Sequence, residues 1–265
     1  MIARGGRSPP RAPWHWALTG VVLGALVLLA FAAPARWLVS GLAWASGERV
    51  LLSDAQGSVW GGSALLVLAG GADSHDRAAL PGRVHWRLVP VALGVDVRIR
   101  ADCCTPQEPL ELRARPGWGG FRIDVADGQS LWPAALLAGL GTPLNTIQPQ
   151  GELALTTRAL GFQRTAGRWI VNGGLEVTAR QLSSRLSTLR PMGSYRLELR
   201  GGEDIRVTLT TLEGGLRLSG SGQWVGTRLR FRGEASTAPG LEAQLANLLN
   251  ILGRREGDRA IMSFG

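Results

Sequence analysis

Arg83-Val84-His85-Trp86-Arg87-Leu88 is the stretch on which the fold turns. Val84, Trp86 and Leu88 alternate with Arg83, His85 and Arg87, a period of two that sends one set of side chains to a buried face and the other to water. The pattern recurs outward from there. Val95, Val97 and Ile99 alternate with Asp96, Arg98 and Arg100, and Phe121, Ile123 and Val125 with Arg122 and Asp124. Further along, Tyr195, Leu197 and Leu199 alternate with Arg196, Glu198 and Arg200, and Ile205, Val207 and Leu209 with Arg206, Thr208 and Thr210. Leu229 and Phe231 stand between Arg228, Arg230 and Arg232. The pairs Gly61-Gly62, Gly70-Gly71, Gly173-Gly174, Gly201-Gly202 and Gly214-Gly215 punctuate these runs and predict hairpin turns, which need φ > 0.

Strands at short spacing without intervening helices predict antiparallel meanders and exclude a Rossmann-like βαβ plan. The expected fold is mainly β: one large antiparallel sheet, too wide to stay flat, that curves into a half-open groove or closes as a sandwich. Trp60, Trp86, Tyr195, Trp224 and Phe231 are its candidate core residues. Two short helices are expected to interrupt it. One covers Leu131 to Leu140, which contains Pro133. The other covers Gly240 to Leu252, where Leu241, Leu245, Leu248, Leu249 and Leu252 form one stripe between Pro239 and Gly253. A lid over the domain's own core is the favoured role for that stripe, ahead of a docking helix.

At the other end, Ala12 to Ala35 has no Asp, Glu or Arg and follows Arg4, Arg7 and Arg11. About 20 apolar residues cross roughly 30 Å of hydrocarbon, so this run predicts one transmembrane helix over 12–35. Residues 1–11 then stay in the cytoplasm and residues 36–265 form an exported β-domain. Ala30-Phe31-Ala32 offers the alternative of a cleaved secretory signal. Trp14 and Trp16 at one end, with Trp37 and Trp44 beyond the other, favour retention as interfacial anchors, and Pro34 should end the helix.

The formal net charge is +9, and with no Lys in the chain the cations are all Arg. Residues 37–265 carry 25 Arg against 20 Asp plus Glu, a dispersed surplus of +5 that forms no nucleic-acid patch. Mechanisms that need an amine side chain are excluded. No G-x-S-x-G, P-loop or complete G-x-G-x-x-G occurs, and the histidines are His15, His75 and His85. Asp73-Ser74-His75-Asp76 is the nearest approach to a metal or acid–base cluster, but it follows Gly70-Gly71 and reads as a solvated loop. No catalytic, cofactor-binding or metal residue is predicted. Cys103 and Cys104 are adjacent, with Cα atoms about 3.8 Å apart across a trans peptide, below the usual disulfide range. A vicinal ring, free thiols and a bridge to another chain all stay open for them.

A resemblance adds to this reading. Gly57-Ser58-Val59-Trp60-Gly61-Gly62, Pro81-Gly82-Arg83-Val84-His85-Trp86-Arg87-Leu88 and Pro149-Gln150-Gly151 come in that order. They are followed by Leu182-Ser183-Ser184, Pro191-Met192-Gly193-Ser194-Tyr195, Gly214-Gly215-Leu216-Arg217-Leu218, Gly220-Ser221-Gly222-Gln223-Trp224 and Arg230-Phe231-Arg232-Gly233-Glu234-Ala235. Leu245 to Gly253 and then Gly257-Asp258-Arg259 close the series. In order and spacing the chain resembles the protein N family of the bacterial type II secretion system. The resemblance implies a non-catalytic accessory in the inner membrane of Gram-negative bacteria, with its bulk in the periplasm and no cofactor. Its partners would be other secretion subunits and the lipid bilayer, not nucleic acid. The alternative expectation is a membrane-anchored β-groove that shields or carries lipid between membranes, with lipid as its ligand.

Overall fold

The computed structural model describes residues 14–105, 108–117, 119–165, 168–202, 204–225 and 228–265. Helices α1 (Trp14–Phe31) and α2 (Ala35–Ala45) lead into a long run of strands. The first are β1 (Val50–Gly57), β2 (Gly61–Ala69), β3 (Arg77–Ala79), β4 (Val84–Val91), β5 (Gly94–Ala101), β6 (Leu110–Gly117), β7 (Gly120–Val125) and β8 (Gly128–Pro133). A 3-10 helix (Ala134–Leu140) and the single turn α3 (Leu144–Ile147) separate them from β9 (Gln150–Thr165) and β10 (Arg168–Ser183). Then come β11 (Gly193–Arg200), β12 (Arg206–Gly214), β13 (Leu216–Val225), β14 (Arg228–Thr237), α4 (Glu242–Leu252), β15 (Arg254–Glu256) and β16 (Arg259–Phe264).

All 16 strands join one antiparallel sheet. Its path is β1-β2-β4-β5-β6-β7-β9-β10-β11-β12-β13-β14-β16-β15, with β3 on β2 and β8 on β9. The register follows from the alternation: Trp86 pairs with Ile99 and Leu88 with Val97, so apolar residues meet apolar residues on one face. Strand β9 is 16 residues long because it takes two partners in turn along one edge. Its first half pairs with β8 and its second with β7.

Three apolar clusters hold the sheet to its helices. The largest gathers Met192, Tyr195, Leu216, Ala235, Ala260 and Met262 under Leu245, Leu248 and Leu249 of α4. Leu245 and the pair Leu248 and Leu249 are three and four residues apart and share a face, so all three are fully buried as a lid, the role favoured from sequence. The second packs Leu80, Val84, Ala101 and Cys104 against Leu136 of the 3-10 helix. The third sets Ala35 and Leu38 of α2 on Ala64 and Trp86.

Several expectations are corrected. The predicted span over 12–35 is interrupted: α1 stops at Phe31, Pro34 is the extended cap before α2, and Ala12 and Pro13 lie outside the described residues. Among the described residues no helix is long and apolar enough to cross a membrane. Helix α2 comes in addition to the two short helices expected in 36–265. The cytoplasmic assignment of 1–11 lies outside the described residues.

The helix expected over Leu131 to Leu140 divides. Leu131, Trp132 and Pro133 end β8, and the rest is 3-10. Pro133 is fixed near φ −70°, ψ 130°, an extended conformation that closes the strand before the helix starts. Gly173-Gly174 makes no hairpin. Gly173, at φ 73°, sits at a bulge inside β10 opposite the register break at Ala159, which is itself at φ 47°. Gly61-Gly62 likewise begins β2 and is not a turn.

Candidate functional site

The five core candidates occupy different depths. Trp86 is 7% exposed; its ring packs where a Cβ on Gly62 would lie, and its indole N–H donates to the Ser58 carbonyl at 3.1 Å. Tyr195 is 4% exposed, its hydroxyl donates to the Leu216 carbonyl at 3.1 Å, and burial pushes its phenol pKa upward. Trp60, Trp224 and Phe231 are half-buried. Phe231 lies against Gly220, Gly222 and Gly233, and its ring centroid is 6.0 Å from that of Phe264.

Among the described residues, no three His, Cys, Asp or Glu side chains are grouped to hold a metal ion. The Asp73–Asp76 loop is tied down from within and without. Ser74 Oγ accepts the Asp76 backbone N–H at 3.1 Å, and Asn145 Nδ2 donates to the Asp76 carboxylate at 2.9 Å. Asp76 is thereby used as a structural acceptor. His75 and Asp73 lie outside these bonds. His85 Nε2 stands 3.2 Å from Asp102, with both side chains about half exposed. The other oxygen of Asp102 accepts the Arg83 backbone N–H at 3.0 Å.

Arg83 is the clasp of this corner. Its Nη1 is 2.6 Å from Asp54, and its Nε donates to Ser63 Oγ at 3.1 Å. The arginine's hydrogen bond and charge hold the Asp54 carboxyl below its ordinary range. Nearby, Cys103 and Cys104 form a vicinal disulfide, which selects one of the three open alternatives. Cys103 is exposed while Cys104 is buried in the second cluster.

What the sheet presents in quantity is surface. On its apolar face, Leu88, Val97, Leu112 and Val125 form one unbroken cross-strand row from β4 to β7, and all four are only half-buried. Val177, Leu197 and Leu209 continue the pattern from β10 to β12. The helices do not reach the far end. There, Phe121 (37% exposed) meets Trp169 (49% exposed) edge-on at 5.6 Å, with the Arg164 guanidinium 5.9 Å from the Trp169 ring.

The opposite face carries charge. Arg98 is paired with Glu111 at 2.9 Å and Arg113 with Asp96 at 2.6 Å across strands, and Arg122 with Asp124 at 2.7 Å along β7. In the middle of the sheet the same face sinks into a depression of about 780 Å³. Glu152, Glu176 and Glu213 line it together with Arg158, Arg180 and Arg196. Sequence reading missed both the uncovered apolar rows and this depression. Alternation tells which residues share a face but not what lies over it.

The arrangement therefore offers two extended faces and two strand edges for contact. No curated protein and no solved structure matches the chain. The family model of the type II secretion system (T2SS) protein N matches residues 48–262, from just before β1 into β16. That family is one of secretion-machinery components and not a known enzyme family. The match takes in all but the last strand's end of the 16-stranded sheet, and the chain belongs to the type II secretion system protein N family.

Proposed function

We propose that this chain is a non-catalytic accessory subunit of the type II secretion machinery. It works by protein–protein contact in the periplasm, with residues 1–11 on the cytoplasmic side, residues 12–35 at the inner membrane and residues 36–265 in the periplasm. Family membership across residues 48–262 is the observation that carries the reading. The surface agrees with it physically: large apolar areas left uncovered on a folded chain are sites of association, and Leu197, Phe121 and Trp169 belong to such an area. The described side chains of α1, residues 14–24, are all exposed, Trp14 and Trp16 among them. Lipid removes that apolar helix from water at a gain of about 25 cal/mol per Å².

Two measurements test this. A reporter fused at the carboxyl end is expected to register in the periplasm, and a cytosolic signal refutes the placement. Affinity capture of the full-length chain from membranes is expected to recover secretion-channel or inner-membrane platform subunits, and their consistent absence refutes the role.

A second reading has its own support in the half-buried row Leu88, Val97, Leu112 and Val125, which no second layer closes. Such a row suits acyl chains, so the domain would shield or carry lipid. Mass spectrometry of the purified protein separates the two readings: bound lipid without secretion subunits favours transport, and subunits without lipid retire it.

A further inference from the structure

We propose that the polar face of strands β12 to β16 carries a binding site for a phosphate group, built on Arg206, Arg230 and Arg232. The site rests on the register of the sheet and is independent of either functional reading above.

Arg206, Gln223 and Arg230 stand side by side in one cross-strand row, and Thr208, Ser221, Arg232 and Ser263 in the next. Adjacent strands lie about 4.8 Å apart and alternate residues about 7 Å apart along a strand, so the three arginine stems start within about 12 Å of one another. They line a depression of about 490 Å³ whose other polar side chains are the three hydroxyls and the Gln223 amide. No acidic side chain is in its wall, though Gly265, the last residue of the sequence, is part of it.

That composition sets it apart from its neighbours on the same face. The 780 Å³ depression sets three arginines against three glutamates. Another, of about 720 Å³, sets Arg232 and Arg254 against Glu234 and Glu256. Both are neutral in side-chain charge, the second by counting Arg232, which it shares with the Arg206 depression; the latter holds three arginines and no acidic side chain. Arg206 reaches Asp204 only at 3.8 Å, with both side chains largely exposed, a pairing of little strength. Among the described residues, Arg230 and Arg232 have no acidic partner.

Three guanidinium groups and three hydroxyls around one hollow fit an anion with more than one charge and several acceptor oxygens. A phosphate group supplies both, since it carries −1 to −2 charge and each arginine can grip two of its oxygens at once. A single carboxylate has two oxygens and one charge, and leaves two of the arginines uncompensated. The hollow is open, so the phosphate can be free or the headgroup of a phospholipid.

Full-length protein in a neutral detergent tests this by calorimetric titration at constant ionic strength. The probes are inorganic phosphate and dihexanoyl phosphatidic acid below its micellar concentration. Saturable binding is expected with one or both, and the Arg230→Gln/Arg232→Gln variant is expected to weaken it at least tenfold. Arg206→Gln is expected to weaken it less. Arg217→Gln, an exposed arginine outside the hollow, should leave it unchanged. All of these side chains are exposed, so a shared melting temperature certifies the fold of each variant.

Phosphatidic acid binding at least tenfold more tightly than phosphate identifies the headgroup as the source. Equal affinities identify free phosphate. The proposal is overturned if neither probe saturates, if the double variant binds as well as the parent, or if Arg217→Gln loses as much as the double variant.

Discussion

Strands β4 to β7 and strands β12 to β16 share one alternating pattern but finish it differently on both faces. In the first region Arg98, Arg113 and Arg122 each meet a carboxylate, and the apolar face is covered only by the small side of a 3-10 helix and the first turns of α2. In the second, Arg206, Arg230 and Arg232 face Gln223, Ser221 and Ser263, and three leucines of α4 seal the apolar face. The region with the stronger lid is the one that gathers three arginines in a hollow without an acidic side chain, while Arg254 and Arg259 at its edge meet Glu256 and Glu234. Burial scales with apolar area, while an exposed ion pair contributes at most about 1 kcal/mol. A sheet end secured by a sealed core can therefore keep open cations at little cost in stability.

The largest effect that tests this contrast comes from the lid. Leu248→Ala empties a fully buried site and is expected to cost about 3–5 kcal/mol, read by urea unfolding. Amide exchange should show the loss concentrated in β11 to β16. Equal loss of protection in β4 and β5 breaks the comparison, because the sheet would then open as one cooperative unit.

Next comes the bulge between the regions. Gly173 is at φ 73°, and a Cβ there runs into the Ala159 and Arg158 carbonyl groups. Gly173→Ala is expected to cost about 2–3 kcal/mol, with exchange rising on both sides of the bulge. A neutral outcome means that the register break at this point can be absorbed elsewhere in β9 and β10. In the first region, Trp86→Phe removes the indole donor from the Ser58 carbonyl and is expected to cost about 1 kcal/mol, measured by the same denaturation. A cost as large as that of Leu248→Ala would make the two lids equivalent.

How much of this was legible in the sequence depends on the range of the signal. Val84, Trp86 and Leu88 announce their strand because a period of two is visible within six residues. The leucines of α4 announce their helix because spacing of three and four residues is local too. Gly173 misled for a physical reason: a hairpin turn and a bulge both need φ > 0, and only the partner strand distinguishes them. Leu131 to Pro133 misled because a short apolar run reads equally as helix or strand. The hollow around Arg206, Arg230 and Arg232 was not legible at all. Each arginine is plain in the alternation, but the absence of an acid beside it depends on Gln223 and Ser221, which pairing brings near and spacing along the chain does not.

The smallest expected effect is also the sharpest test of the charge contrast. Asp96 accepts a hydrogen bond from Arg113, whose positive charge adds to the effect, and its pKa is lowered from the ordinary 3.8. Asp54 is lowered in the same way by Arg83. A carboxyl whose folded pKa is depressed contributes stability that is complete above its unfolded value and is lost as pH falls through the folded one. Strands β1 to β6 should therefore loosen below about pH 4, which amide exchange at pH 5 and pH 3 can follow residue by residue. The hollow around Arg206, Arg230 and Arg232 has no acidic side chain to protonate, so β12 to β14 should change less over the same interval. Asp96→Asn should flatten the dependence in β5 and β6 and leave β12 to β14 as they were. Both groups are exposed and the change is correspondingly slight. An equal pH response at the two ends would mean that the paired charges of the first region do no more for it than the unmatched ones do for the second.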